Sequence, residues 1–288
     1  MRHLPIPVDE HGQPYALGAV FRVCVGGIMQ PQELINRMNG VVQTVEDSEA
    51  QYDQLAGTEM LHTFPRNIDV NGANGAVTGE ELKRLYTYRM VDADQPGRPI
   101  YNRLLMSSNE KCPLCGVNTV STLDHHLPKA EYPVLSVTPI NLIPACRDCQ
   151  SAKMEDYPTM AAEQTLHPYY DNIEADIWLT AVVNQGPPAS FIFEVTPPAT
   201  WNQILTDRVR YHMESFNLPR LFAVNAANEL AGIRPGLTNL FDKGGINAVR
   251  DHLQWSADSW RAGGLNTWQL AMYQAAAAND WFCNGGFA

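Results

Sequence analysis

The chain has 288 residues, 45% of them hydrophobic, with 20 Lys and Arg against 31 Asp and Glu, a formal net charge of −11 at pH 7. That length supports two or three modules around one or two cores, and the acidic balance excludes a protein that coats nucleic acid over its whole surface. No opening segment joins a basic end, an apolar run and a cleavage site, and the most apolar early stretch, residues 16–29, is interrupted by Arg22 and too short for a bilayer. A cytoplasmic protein with no membrane partner is therefore expected.

Pro5, Pro7, Gly12 and Pro14 indicate an extended lead. Leu17 to Met29 reads as a strand or a buried helix, and periodicity does not decide between them. Pro31 suits a first helical turn, and Ile35, Met38, Val41, Val42 and Val45 recur as one buried face of a helix that continues through Tyr52 to Leu55. Residues 66–77, with two Asn-Gly pairs, predict a flexible loop. Thr78 and Glu81 form a capping-box pattern that opens a helix over residues 80–91, which Gln95-Pro96-Gly97 closes off. A short helix follows over residues 100–106.

Beyond residue 155, residues 161–166 read as helical. Residues 177–183 and 190–195 are β-prone and separated by Asn184-Gln-Gly-Pro-Pro, which predicts a hairpin. Helices are expected over residues 201–216, 219–230, 245–255 and 267–278. The expected domains are a mainly helical lobe over 1–105, a metal module over 106–172, and a hairpin with a helical lobe over 173–288. The fold class is α+β, mainly helical lobes around a small zinc module.

Lys111 to Lys153 carries the chemistry. Cys112/Cys115 and Cys146/Cys149 are two Cys-x-x-Cys pairs, each able to present two thiolates to one ion, and together they complete a tetrahedral four-cysteine zinc site. Cys24 and Cys283 are left as buried free thiols in a reducing compartment. The charge distribution isolates the same region. Residues 1–60 hold eight acids and three bases, residues 80–155 nine of each, and residues 156–288 thirteen acids and seven bases. Lys83, Arg84, Arg89, Arg98, Arg103, Lys111, Lys129, Arg147 and Lys153 are candidates for a phosphate track, although each alone is more often a solvated surface charge.

The order Cys112-Pro-Leu-Cys115, Leu123-Asp124-His125-His126-Leu127-Pro128-Lys129, Asn141-Leu142, Cys146-Arg-Asp-Cys149-Gln150-Ser-Ala-Lys153 resembles the HNH endonucleases, ββα-metal nucleases on a zinc-knuckle scaffold. The match covers about a seventh of the chain. The resemblance implies a ββα-metal, treble-clef-like module and a structural Zn²⁺ that takes no part in catalysis. It implies His125 as general base, Asp124 as ligand of a catalytic Mg²⁺ or Mn²⁺, and Asn141 as a brace for the loop and the His125 ring. Successive residues of a strand face opposite ways, so a turn at Asp124-His125 is expected to aim both inward. Gln150 stands where the family has Asn or His; its amide oxygen is the expected further cation ligand. His126 and His167 are reserve candidates, and Lys129 and Lys153 are candidate contacts to the scissile strand.

The flanks, including Leu166-His167-Pro168-Tyr169-Tyr170-Asp171, resemble bacterial HNH proteins, some associated with anti-phage defence. Nucleic acid is the implied partner, DNA ahead of RNA. The helical lobes are available for an activating protein partner or for self-association. Two other readings stand beside the nuclease: a non-catalytic zinc-knuckle module that binds nucleic acid or protein, favoured by the acidic charge and Gln150, and an RNA-directed toxin using the same site.

Overall fold

A computed structural model describes residues 1–66 and 70–288. The chain divides into two compact units, Met1–Asn172 and Ile173–Ala288. Among the described residues helices dominate, and each of three small sheets is a two-stranded antiparallel pair, so the fold is α+β.

In the first unit the lead is tied to the region of the first cysteine pair and to the His167 segment, with Arg2 N–H donating to Pro113 O at 2.8 Å and Leu4 N–H to Pro168 O at 2.8 Å. Helix α1 (Ala19–Gly26) buries Val20, Phe21, Cys24 and Val25, the one-and-four spacing of a single helical face. This settles the ambiguous stretch as helix. The single helix expected from Pro31 to Leu55 is two, α2 (Gln32–Gly40) and α3 (Val42–Gly57). The break falls at Val41 (φ −108°, ψ 4°), just after a glycine, where helix propensity is lowest short of proline. α3 turns Val45, Glu49, Tyr52 and Ala56 inward.

The loop expected over residues 66–77 contains a hairpin, β1 (Val70–Gly72) with β2 (Gly75–Val77), because the Asn-Gly pairs flank a tight turn between strands; residues 67–69 lie outside the described part. Thr78 and Glu81 form the reciprocal capping box, Glu81 N–H to Thr78 Oγ1 at 3.3 Å and Thr78 N–H to Glu81 Oε2 at 2.9 Å. The helix they start, α4 (Gly79–Leu85), passes into a π-helical turn over Tyr86–Val91. That turn buries Tyr86 and Met90 while leaving Tyr88 exposed. α5 (Arg98–Met106), with Pro99 in its first turn, buries Ile100, Tyr101 and Leu104.

Strands β3 (Thr122–His125) and β4 (Leu142–Ala145) pair antiparallel, Asp124 opposite Ile143 and His125 opposite Leu142. Helix α6 (Arg147–Lys153) follows at once. One hydrophobic core joins residues of α1–α5 with Leu123, Leu127, Tyr132, Leu135 and Leu142, so residues 1–105 and the β3–β4–α6 motif share a unit. Of the helix expected over 161–166, a single 3₁₀ turn at Ala161–Glu163 forms.

The second unit starts with the hairpin β5 (Leu179–Asn184) and β6 (Ser190–Val195), in register from Leu179↔Val195 to Asn184↔Ser190. β6 alternates as a half-buried strand should: Phe191 and Phe193 are buried and Ile192 is exposed. Helix α7 (Gln203–Ser215) is capped by Asn202, which accepts from Leu205 N–H at 2.8 Å. The helices expected over 219–230 and 245–255 belong to one run, α8 (Leu218–Gly263), interrupted at Gly245, whose φ of 66° only glycine adopts freely. α9 (Trp268–Ala278) and α8 cover the hairpin, with Phe193 edge-on to Phe222 at 5.6 Å. Cys24 and Cys283 are both buried and unpaired, and burial pushes the Cys24 thiol up to about 12. No helix among the described residues is long and apolar enough to cross a membrane.

Candidate functional site

Two short structures present the cysteines. The first is a tight loop closed by Cys112 N–H to Asn118 O (2.9 Å) and Gly116 N–H to Cys112 O (2.8 Å); Gly116 takes φ 70°, the left-handed conformation in which the chain leaves the Cys112–Cys115 turn towards Asn118. The second is the start of α6, where Cys146 is the N-cap and its Sγ accepts from Cys149 N–H at 3.4 Å. All four Sγ atoms lie within 4.8 Å of one another and all four residues are buried. Among the described residues no other group of His, Cys, Asp or Glu converges this way.

The surroundings fit thiolates. Asn118 N–H donates to Cys115 Sγ at 3.4 Å, and Asn118 Nδ2 reaches Cys146 Sγ at 3.8 Å while also donating to Asp148 Oδ2 at 2.9 Å. Such N–H···S bonds spread the negative charge that four sulfurs bring to one cation. The donor set, four soft sulfurs and no open position, is that of a structural zinc centre.

Next to it, β3 places Asp124 and His125, both buried. The carboxylate faces α6, where Lys153 Nζ stands 3.6 Å from Asp124 Oδ2 and donates to His125 O at 2.7 Å. Lys153 is itself buried, not a surface lysine touching a strand. Burial raises the Asp124 pKa, and the Lys153 ammonium opposes that rise.

The His125 ring engages different partners. Its Nε2 lies 2.8 Å from Ser136 O. A carbonyl only accepts, so Nε2 carries the hydrogen and Nδ1 keeps the lone pair. The ring packs edge-on to Tyr86 at 4.5 Å between centroids, with Tyr86 OH donating to Leu123 O at 3.0 Å. Lys129 Nζ sits 4.6 Å over the other ring of this pair, Tyr86. Burial, with smaller contributions from the charges of Lys129 and Lys153, lowers the His125 pKa to about 3, against the pull of the Ser136 carbonyl. No turn intervenes between Asp124 and His125; both stay in β3, His125 as its last residue, with the carboxylate facing α6 and the ring set against Tyr86 and Ser136 O.

Asn141 is fully buried and braces the loop between the strands. Its Oδ1 accepts from Leu127 N–H at 2.8 Å, and its Nδ2 donates to Leu127 O at 3.1 Å and Leu135 O at 3.4 Å. The His125 ring is therefore oriented by Ser136, whose loop Asn141 helps to fix, and not by Asn141 directly. Gln150 lies one helical turn before Lys153 on α6 and makes no side-chain hydrogen bond among the described residues. His167 reaches the neighbouring residue: its ring lies 4.2 Å from His126. Its Nδ1 accepts from Tyr169 N–H at 3.3 Å, so Nε2 donates to Tyr52 OH at 2.9 Å. The two reserve histidines thus pair with each other and with α3.

The candidate phosphate track is partly committed elsewhere, Lys83 to Glu80, Arg103 to Glu10 and Lys153 to Asp124, while Lys111 and Arg147 are exposed and the exposed Arg84 makes one long contact, Nε to Glu80 at 3.7 Å. Sequence reasoning missed Tyr86, Ser136 and Tyr52. Ser136 acts through its backbone carbonyl, which carries no side-chain signature, and the two tyrosines are 39 and 115 residues from the histidines they touch.

No family model matches the chain, and no solved structure does. A curated protein, Ea31 of Escherichia phage lambda, is 30% identical over 305 residues, an alignment that takes in 99% of this chain and 100% of the relative.

Proposed function

The chain belongs to the family of protein Ea31 of phage lambda, and from its own residues we propose that it is a metal-dependent HNH-type nuclease hydrolysing phosphodiester bonds, in DNA ahead of RNA. The observation that carries the reading is the His125 ring, neutral and held in one tautomer by Ser136 O at 2.8 Å, on a hairpin–helix motif built around four converging cysteines. Nδ1 is left as the proton acceptor that a general base needs. With its pKa lowered to about 3, the imidazole is unprotonated near neutral pH but weakly basic. An arriving phosphate brings negative charge, which raises its pKa towards the useful range. Lys129, half-buried over Tyr86, is the cation placed to meet that phosphate.

Asp124 would hold the hard cation, with the uncommitted Gln150 amide oxygen as a further donor. One carboxylate fits Mg²⁺, which keeps several waters and takes the rest of its shell from substrate phosphate. When bound, such a cation offsets charge developing on the phosphoryl oxygens and helps to activate water. The buried Lys153–Asp124 pair favours a second reading, a zinc-knuckle binding module, because an ammonium already neutralises the carboxylate.

Plasmid cleavage by the full chain with Mg²⁺, Mn²⁺ or EDTA, beside His125→Ala, separates the two. The nuclease reading expects metal-dependent nicking that falls about 10²–10⁴-fold in the variant while zinc stays bound. Nicking that survives in His125→Ala, or no cleavage of DNA or RNA with either metal, sinks it.

A further inference from the structure

A concavity of about 410 Å³ opens in the first unit between α2 and the α4–π-turn run, and it shares no lining residue with the cysteine cluster or with Asp124 and His125. Its floor is apolar, from Leu34, Met38 and Leu85. Its wall carries Arg37, Arg84, Arg89 and Tyr88. These cations differ in what they already do. Arg37 is spent: it grips Glu81 by two bonds (2.9 and 2.6 Å) and donates to Ala76 O at 2.7 Å, so the pair cancels and builds the wall. Arg84 is exposed, and among the described residues its contact is Nε to Glu80 at 3.7 Å, a carboxylate shared with Lys83. Arg89 gives Nη1 to the neutral Gln95 Oε1 at 3.1 Å. Both outer guanidinium edges are left for a ligand.

The lining thus carries a net charge of +2 in a chain of net −11, a local attraction for an anion. Beside it, the half-exposed Tyr88 ring and the apolar floor suit a flat, weakly polar group. Glu81, Arg84, Leu85 and Tyr88 line the pocket at the three- and four-residue spacing of one helical face, with Arg89 beside them, while Tyr86 is buried.

We propose that this concavity binds a nucleoside phosphate, with the phosphate on Arg84 and Arg89 and the base against Tyr88. Guanidinium forks match phosphate oxygens, and an aromatic face stacks any base. The same chemistry comes from a free nucleotide or from the 5′-phosphorylated end of a strand.

The test is calorimetric titration of the full zinc-loaded chain with the four nucleoside 5′-monophosphates, inorganic phosphate, and a short oligonucleotide with and without a 5′-phosphate. Arg84→Ala and Tyr88→Ala are compared with the parent, zinc content and melting serving as checks on folding; both side chains are largely exposed. Saturable binding of a mononucleotide is expected, weakened about tenfold or more by either variant. Tyr88→Ala should leave binding of inorganic phosphate unchanged. A preference for the 5′-phosphorylated oligonucleotide, with the same sensitivity to both variants, assigns the strand end as the source. Binding of no probe, or binding that neither variant changes, overturns the proposal. Because no cleavage is measured, its failure is distinct from failure of the nuclease reading.

Discussion

At one end of the β3–β4–α6 motif four like sulfurs converge on one another; at the other a carboxylate, an imidazole and an ammonium are each held by a different partner. Both ends are buried. The cysteine end has every group aimed at a single point and backbone N–H groups supporting it. The Asp124 end is a chain of separate commitments: Lys153 to Asp124 and to His125 O, Ser136 to the ring, Asn141 to the loop. The difference teaches that burial alone does not mark a group as structural. A closed set of like groups can fix a fold, whereas a set in which each member has its own partner leaves each group separately addressable.

The comparison breaks most completely if the cysteine end is opened. Cys146→Ser removes one of four ligands while its hydroxyl can still cap α6, and apparent binding energies for structural zinc run to about 10 kcal/mol or more. The variant should lose stoichiometric zinc and the cooperative melting of the first unit, read by metal analysis and calorimetry. Unchanged melting with no zinc in the parent protein would remove the closed end altogether.

Lys153→Met tests the other end. It leaves the Asp124 carboxylate buried without its cation, a loss of about 3–5 kcal/mol in urea unfolding with zinc retained. Adding Asp124→Asn should recover most of that loss, because the cost lies in the uncompensated charge. Equal losses in the single and double variants would show that Lys153 acts through its bond to His125 O instead.

The smallest effect sharpens the contrast by pH. Glu49 on α3 accepts from Gly18 N–H at 2.6 Å and from Thr138 Oγ1 at 3.2 Å, and burial raises its pKa to about 7. The folded state then binds more protons than the unfolded state between pH 4.5 and 7. The stability Glu49 contributes is present below its unfolded pKa and lost as pH rises through 7, on the order of 3 kcal/mol. His125, with its pKa lowered to about 3, runs the other way: its contribution is lost as pH falls from 6.5. Glu49→Gln should remove the fall in stability between about pH 4.5 and 7 and leave the profile above pH 7 without added slope; an unchanged profile between pH 4.5 and 7 would refute the assignment.

Legibility followed the kind of group involved. The four cysteines, the Thr78–Glu81 capping box and the β5–β6 hairpin are local patterns, and each formed where the spacing put it. The π-helical turn after Leu85 and the fusion of two helices into α8 were not legible, because tertiary packing overrides weak local propensity there, whereas the break at Val41 had a local signal in Gly40 that the apolar periodicity around it masked. Lys153 is the sharpest case. A lysine ending a short helix reads as solvated, and its burial follows only from Asp124 arriving, 29 residues earlier in the chain, on the facing strand. Ser136 escaped for another reason, since any residue offers the same carbonyl.

Helix α6 is seven residues long, about 10 Å from end to end, with Cys146 capping its start and Lys153 at its finish. A helix so short has too few internal bonds to persist by itself. Its order comes from the sulfurs at one tip, and that order decides where the ammonium at the other tip lands. A newly made chain starved of zinc would therefore leave Lys153 unplaced and Asp124 without a counter-charge. With zinc as the ion those sulfurs would hold, metal supply would act as a checkpoint on assembly, ahead of the histidine strand.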